Sequence, residues 1–207
     1  AEDLDKLSDE ITLCGNRIYE IFDKTKWRPT YFFCIDNDGM EEIVNAISNI
    51  NVGKQFLALS ARKYLPEEQE DVIFINHTNK RFVINRYNDK SSHISEDISL
   101  YFSCGYTVLF AALQFAIYTG VKEIYLLGVD FDYSHVTNRW GITRMDAGKQ
   151  DYFDNHKHAG SALNYESTLN AWKVAKEFCD AHGIIIKNAT RGGKLEVFER
   201  VNFEQLF

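Results

Sequence analysis

Apolar residues along this chain fall into short blocks with two alternating periods. Thr30 to Ile35, Phe56 to Leu59, Val72 to Asn76, Glu123 to Val129 and Ile184 to Ile186 are continuous or nearly continuous runs. Such runs mark parallel strands covered on both faces. Ile11 to Cys14 is a shorter run of the same kind, and Arg81 to Ile84 a further candidate. Between these blocks the spacing is helical. Ile18, Ile21 and Phe22 give 17–24 an apolar face, and Ile43, Ala46, Ile47 and Ile50 do the same for 40–50. Gly105 to Thr119 is apolar nearly all round, as in a helix buried within an α/β layer. Leu163 to His182 places Tyr165, Leu169, Trp172, Lys176 and Cys179 on one stripe. A short surface helix is expected over 3–10, and a tail anchored by Val201, Phe203, Leu206 and Phe207 over 197–207.

This alternation predicts an α/β protein. The expected form is a Rossmann-like open, mostly parallel sheet with helices on both faces, built by residues 1–207 as a single nucleotide-binding domain. One stretch has no period: Ser134 to Ser161, rich in Asp, His, Lys, Arg, Asn and Gly. A long irregular segment in a compact domain points to a lid.

Composition narrows the function classes. The 207 residues carry a net charge of −7, which argues against non-specific nucleic-acid binding. No apolar run approaches the roughly 18 residues of a membrane span. At most a peripheral membrane association is expected, and a homo-oligomer is compatible with the chain. Cys14, Cys34, Cys104 and Cys179 form no CxxC pair, so they read as free thiols in a reducing, cytoplasmic compartment. No Cys/His pair has zinc-ligand spacing.

The candidate chemistry gathers where helix meets strand. In open α/β sheets ligands sit outside the carboxyl ends of the strands. Ser103, Cys104 and Gly105 are expected to open the central helix there, with Gly128 and Asp130 at the following strand end. Asn16 can cap the helix after the first strand. There is no GxGxxG, P-loop or GxSxG motif. Asp130-Phe131-Asp132 has the DxD form used by metal-dependent glycosyltransferases, as does Asp36-Asn37-Asp38. His135, His156 and His158 lie in the lid beside Tyr133, Arg139, Arg144 and Tyr152, where an imidazole could act as general base and a cation or phenol could steady a leaving phosphate. His77, His93 and His182 read as structural.

The segments GNRIYEIFDKTKWRPTYFFCIDND, FINHTNKRFVINRYNDKSSHISEDISLYFSCGYTVLFAALQFAIYTGVKEIYLLGVDFDY and NATRGGKLEVFERVNFEQLF resemble the MptE-like group. This is a bacterial family of surface-polysaccharide proteins related to archaeal 6-hydroxymethylpterin diphosphokinases. The chain is similar, more distantly, to CMP-sialic acid-dependent sialyltransferases and to flagellin-glycosylating motility accessory factors. The resemblance implies a nucleotide held at the strand ends. Asn16 would contact the cytidine nucleotide, and Asp36 stands where a second contacting asparagine is expected. Ser103, Cys104 and Gly105 match the Thr-Ser-Gly turn that holds the nucleotide, and His156 or His158 matches the catalytic histidine. Three departures follow from the same comparison. A GxGPSL phosphate loop expected upstream is absent, so either the chain is trimmed or nucleotide binding is impaired. Tyr101 replaces an arginine. Arg139 or Trp140 replaces the second of two tyrosines, the first being Tyr133.

The function implied is transfer of an acidic, sialic acid-like sugar from a CMP-activated donor to a glycan hydroxyl. His158 or His156 would be the base, Tyr133 and Arg139 would stabilise the phosphate, and neither a metal nor another cofactor would be required. Two alternatives keep the fold: a Mg²⁺-dependent diphosphokinase acting on a pterin-like alcohol, and a non-catalytic nucleotide-binding domain of a larger polysaccharide enzyme.

Overall fold

The computed structural model describes residues 2–37, 39–48, 50–65, 69–78, 92–103, 105–138, 140–145 and 163–207. After a short helix α1 (Glu2–Asp5), strands β1 (Leu13–Gly15) and β2 (Tyr31–Cys34) are joined through a 3-10 helix at Asn16–Ile21. Helix α2 (Met40–Ile47) leads to β3 (Lys54–Ala58), a second 3-10 helix at Leu59–Tyr64, and β4 (Val72–Ile75). These strands form a parallel sheet in the order β1-β2-β3-β4. Two short strands, β5 (His77–Thr78) and β6 (Phe102–Ser103), pair in parallel. Helix α3 (Val108–Tyr118) then precedes β7 (Glu123–Leu126). A hairpin of β8 (His135–Thr137) and β9 (Thr143–Met145) follows, with β10 (Leu163–Asn164) alongside β8. Helix α4 (Tyr165–Ala181) returns the chain to β11 (Ile185–Asn188) and β12 (Glu199–Arg200). These two strands make a parallel sheet ordered β12-β11-β7.

This is the expected Rossmann-like α/β fold. Its hydrogen-bonded ladder differs in one respect: among the described residues it runs as two main parallel sheets rather than one. Helix α3 joins them, and this explains why it is apolar all round. Its Val108, Ala111 and Ala112 enter a core with Phe32, Phe33, Ile43, Ile47 and Leu57. Its Phe110 and Leu113 enter a second core with Phe131, Trp172, Ala175 and Leu195. Phe115 is wedged against Phe56, at 4.6 Å between ring centroids, and Phe56 stacks on Phe33 at 4.7 Å.

One polar residue sits within this helix. Gln114 is 1% exposed. Its Oε1 accepts from the backbone N–H of Ser95 (3.0 Å) and Ser103 (3.1 Å). Its Nε2 donates to the carbonyls of Ser103 (3.0 Å) and Phe110 (3.2 Å). The amide therefore satisfies both backbone groups of Ser103 and ties the segment before α3 onto the helix.

Three local expectations change. The segment after β1 is a 3-10 helix rather than an α-helix from Arg17 to Lys24, with Arg17 itself off helical geometry (φ −90°, ψ 15°). Its guanidinium is drawn sideways onto Glu42, in two contacts of 2.7 and 2.8 Å, and onto Glu20 at 3.2 Å. Helix α3 begins at Val108, not Gly105, because Tyr106 takes a left-handed φ of 60° and Thr107 an extended φ of −150°. The Thr107 hydroxyl caps the helix by accepting from the Leu109 N–H. The segment read as a lid contains, in its described part, the β8–β9 hairpin; the rest of it lies outside the described residues, as does the candidate strand at 81–84.

Replacing Gln114 by Leu keeps the volume but strands the Ser95 N–H and both Ser103 backbone groups in the interior. An unpaired buried polar group costs about 1–3 kcal/mol, so Gln114→Leu is expected to lower unfolding free energy by about 3 kcal/mol or more. Urea titration of wild type and variant measures this directly; a change under about 1 kcal/mol would contradict the role assigned to Gln114.

Candidate functional site

The backbone singles out one region. Among described residues other than glycine, three have positive φ: Asn16 (52°), Tyr106 (60°) and Phe131 (56°). Each lies just beyond the carboxyl end of a parallel strand: β1, β6 and β7 respectively. Left-handed backbone costs a non-glycine residue about 1–2 kcal/mol. Such strain gathers at ligand sites held by their surroundings.

Close packing joins these turns. A Cβ on Gly15 would lie 2.7 Å from the Phe33 carbonyl and 3.0 Å from the Val108 side chain. The end of β1 therefore sits directly against the start of α3. A Cβ on Gly105 would fall 2.0 Å from the Phe110 ring, so only glycine lets this turn fold down onto the helix. Phe110 shares its core with Val129 and Phe131, linking this turn to the β7 end.

Asn16 does not cap the following helix. Its Nδ2 donates to Asp36 Oδ2 at 2.9 Å, and its Oδ1 is buried with no hydrogen-bond partner. A carboxylate only accepts, so the Asn16 amide is fixed with its oxygen turned away from Asp36. An orphaned buried acceptor is costly and calls for a functional reason. Asp36 is exposed, so one of its own oxygens remains available beside it.

His77, read as structural from sequence, lies at β5 near this pair. Burial pushes its pKa down, and the Asp36 carboxylate pulls it back up. His93, read the same way, has Nδ1 3.3 Å from Ser103 Oγ and Nε2 2.9 Å from the Tyr101 hydroxyl. Ser103 is itself 2% exposed. The position of His77 depends on the β5–β6 pairing across a long separation, and the His93 contacts on a turn of the chain between 93 and 103, neither of which leaves a spacing signal.

At the β7 end, Gly128 and Asp130 are exposed. The turn is held by the segment that follows β11. Thr190 Oγ1 accepts from the Val129 N–H (3.0 Å), and the Lys194 N–H donates to the Asp130 carbonyl (2.5 Å). Arg200 fixes that segment in turn by donating to the carbonyls of Thr190, Gly192 and Gly193. Asp132 pairs with Lys194 at 2.9 Å, and Asp130 Oδ1 accepts from the Asp132 N–H at 3.3 Å. No group of three or more His, Cys, Asp and Glu residues able to hold a metal is present among the described residues. Tyr133 packs edge-on to Phe131 at 5.9 Å. Cys104, Arg139, His156 and His158 lie outside the described residues. Cys14, Cys34 and Cys179 are free; burial raises the Cys34 thiol to about 12 and that of Cys179 to about 11, so both are inert at neutral pH.

Asn16, Asp36 and His77 thus come together, and His93 meets Ser103 just ahead of α3. Among solved structures the chain is similar to MAf glycosyltransferase from Magnetospirillum magneticum AMB-1, with a TM-score of 0.56 and 15% identity. The chain shares this protein's fold. The match covers 100% of this chain and 32% of the other, so the chain spans about a third of that protein's length. No protein-family profile matches the sequence, and no curated protein matches it. No helix among the described residues is long and apolar enough to cross a membrane.

Two outcomes are expected from this geometry. Asn16→Gly should be more stable than Asn16→Ala by about 1 kcal/mol, because only alanine retains the left-handed penalty; equal unfolding midpoints would refute the strain. The lowered pKa of His77 means that the unfolded chain binds more protons just below pH 6.5. Stability should therefore fall as pH drops from about 6.5 towards the folded-state value. His77→Gln should remove that part of the slope, measured by thermal melts across pH 4.5 to 8.

Proposed function

We propose that the chain is the nucleotide-binding core of a glycosyltransferase of surface glycan assembly, moving an acidic sugar from a CMP-activated donor to a glycan hydroxyl. The observation that carries this reading is the Asn16 amide, locked by Asp36 with a buried, unpaired oxygen at a strand end. That oxygen can accept only from a donor such as a base amino group or a ribose hydroxyl. Phosphate oxygens do not fit it. Asp36 adds a second acceptor for ribose hydroxyls. The shared fold with a named glycosyltransferase and the backbone strain at the strand ends support the same reading.

In this mechanism the acceptor hydroxyl oxygen attacks the anomeric carbon and the bond to the CMP phosphate breaks. The phosphate leaves with the electron pair. His158 or His156 takes the hydroxyl proton, and Tyr133 and Arg139 steady the departing phosphate. Ser103, Cys104 and Gly105 form the turn against the nucleotide, with Gly128 and Asp130 across from it. The reaction needs no metal. The magnesium-dependent diphosphokinase reading would need Asp130 and Asp132, or Asp36 and Asp38, to hold the ion.

A thermal-shift series with CMP, CDP, UDP, GDP and ATP, with and without Mg²⁺, tests this, because a ligand that binds the native state raises the midpoint. CMP is expected to raise it most and in the presence of EDTA. Asn16→Gly should weaken CMP binding about tenfold, one lost hydrogen bond of about 1.4 kcal/mol, while remaining folded. A shift confined to ATP with Mg²⁺ would reject the proposal.

A further inference from the structure

A cavity lies beyond the β7 end, and neither the fold nor the nucleotide reading uses it. It has a volume of about 270 Å³ and is lined by Val136, Asn138, Ile142, Arg144, Tyr165 and Glu166. This is near the small end of ligand pockets, which start at about 300 Å³. Its walls come from the β8–β9 hairpin and the first turn of α4. Asn138 builds the hairpin tip. Its Oδ1 accepts from the N–H groups of Trp140 and Ile142, both at 3.0 Å, and its backbone N–H donates to the Ile142 carbonyl at 3.0 Å. An oxygen used twice fixes the amide orientation and leaves Nδ2 as a donor.

The lining is chemically mixed. Arg144 and Glu166 carry opposite charges, and neither has an ion pair or hydrogen bond among the described residues. Val136 and Ile142 supply aliphatic surface. Tyr165 presents an aromatic ring that rests against Phe131, 4.6 Å away between centroids. Phe131 is the strained residue of the β7 turn, so the cavity backs onto the candidate site. On the same hairpin, Trp140 is 63% exposed, and the lining residue Ile142 is 59% exposed. Such exposed side chains on a built hairpin offer an apolar platform. The lining charges cancel, which suits a neutral ligand. A phosphate or carboxylate would meet the Glu166 charge. A polyhydroxylated ring matches every part: hydroxyls for a guanidinium, a carboxylate and an amide, and C–H faces for the aliphatic and aromatic walls.

We propose that this cavity binds one neutral pyranose unit of the acceptor glycan, with Arg144, Glu166 and Asn138 reading its hydroxyls and Trp140 packing on the next unit. The inference rests on the glycosyl-transfer reading for its meaning, but binding is measured without nucleotide. Saturation-transfer NMR with methyl pyranosides of glucose, galactose, mannose and N-acetylglucosamine, at millimolar concentration, provides the test. At least one is expected to bind, with affinity reduced about tenfold in both Arg144→Met and Glu166→Gln. Both variants change exposed side chains, and unchanged thermal midpoints would confirm that they fold. Binding that both variants leave intact, or no binding by any of the four, overturns the proposal. Saccharide binding without a CMP-induced thermal shift would reject the donor reading and keep this subsite; a CMP shift without saccharide binding does the reverse.

Discussion

The carboxamide of Gln114 is the contact on which the arrangement of the candidate site depends. A helix shared between two cores must be apolar on nearly every face, and α3 is. Such a helix offers no polar handle for the irregular chain that has to cross its start. Gln114 provides one. By holding Ser95 and both backbone groups of Ser103, it brings β6 to the helix and so fixes where Gly105 and Tyr106 can turn. A fully satisfied buried amide is directional where hydrophobic contacts are not. Packing alone would let this segment slide along α3, whereas the amide sets its register.

That rigidity accounts for the strained turns. Asn16, Tyr106 and Phe131 each cost about 1–2 kcal/mol in left-handed backbone, against a typical total stability of about 5–15 kcal/mol. The surroundings hold each of them by different means. Gly15 is pressed between the Phe33 carbonyl and Val108, ahead of Asn16. Gly105 lies on the Phe110 ring, ahead of Tyr106. Phe131 is 1% exposed, so its buried ring offsets the strain of its own backbone. Asn tolerates the left-handed region, but a left-handed Tyr106 and Phe131 at strand ends are hard to explain by packing alone, since glycine or asparagine would serve those turns better.

The parts of this fold legible in the sequence were those carried by periodicity. Continuous runs located β2, β3, β4 and β7, and the all-round apolar pattern identified α3 as the buried helix. The strand-end position of Asn16, Ser103 and Asp130 followed from topology. Three things were not legible. The start of α3 moved because Tyr106 and Thr107 adopt backbone angles that tertiary contacts impose, overriding local propensity. The 3-10 character of Asn16–Ile21 reflects Arg17 being drawn to Glu42, a partner 25 residues away. His77 reached the site through the β5–β6 pairing, and a two-residue parallel pairing leaves no periodic trace; His93 reached it through an irregular turn back onto Tyr101 and Ser103. A weak signal did exist for the hairpin. The NRWGIT segment places Asn ahead of Gly between β-branched residues, and such turn chemistry could have divided the supposed lid.

The distribution of cations constrains how an acidic protein could hold an anionic nucleotide. Several arginines near the described site are already engaged. Arg17 is taken by Glu42 and Glu20, Arg191 by Asp3 and Glu204, and Arg200 by Glu196 and three carbonyls. Lys194 is taken by Asp132. These cations organise the protein rather than the ligand. On the proposed reading, attraction for the nucleoside half must then come from directed acceptors such as Asn16 Oδ1 and Asp36, which select by hydrogen-bond sense and not by charge. The phosphate half would draw its compensation from the segment after β7, where Tyr133 and Arg139 are the expected partners. Splitting recognition in this way separates selectivity from the stabilisation of leaving charge. The strained strand-end turns would decide which nucleotide binds, and the segment that bears the cations would govern how fast it departs.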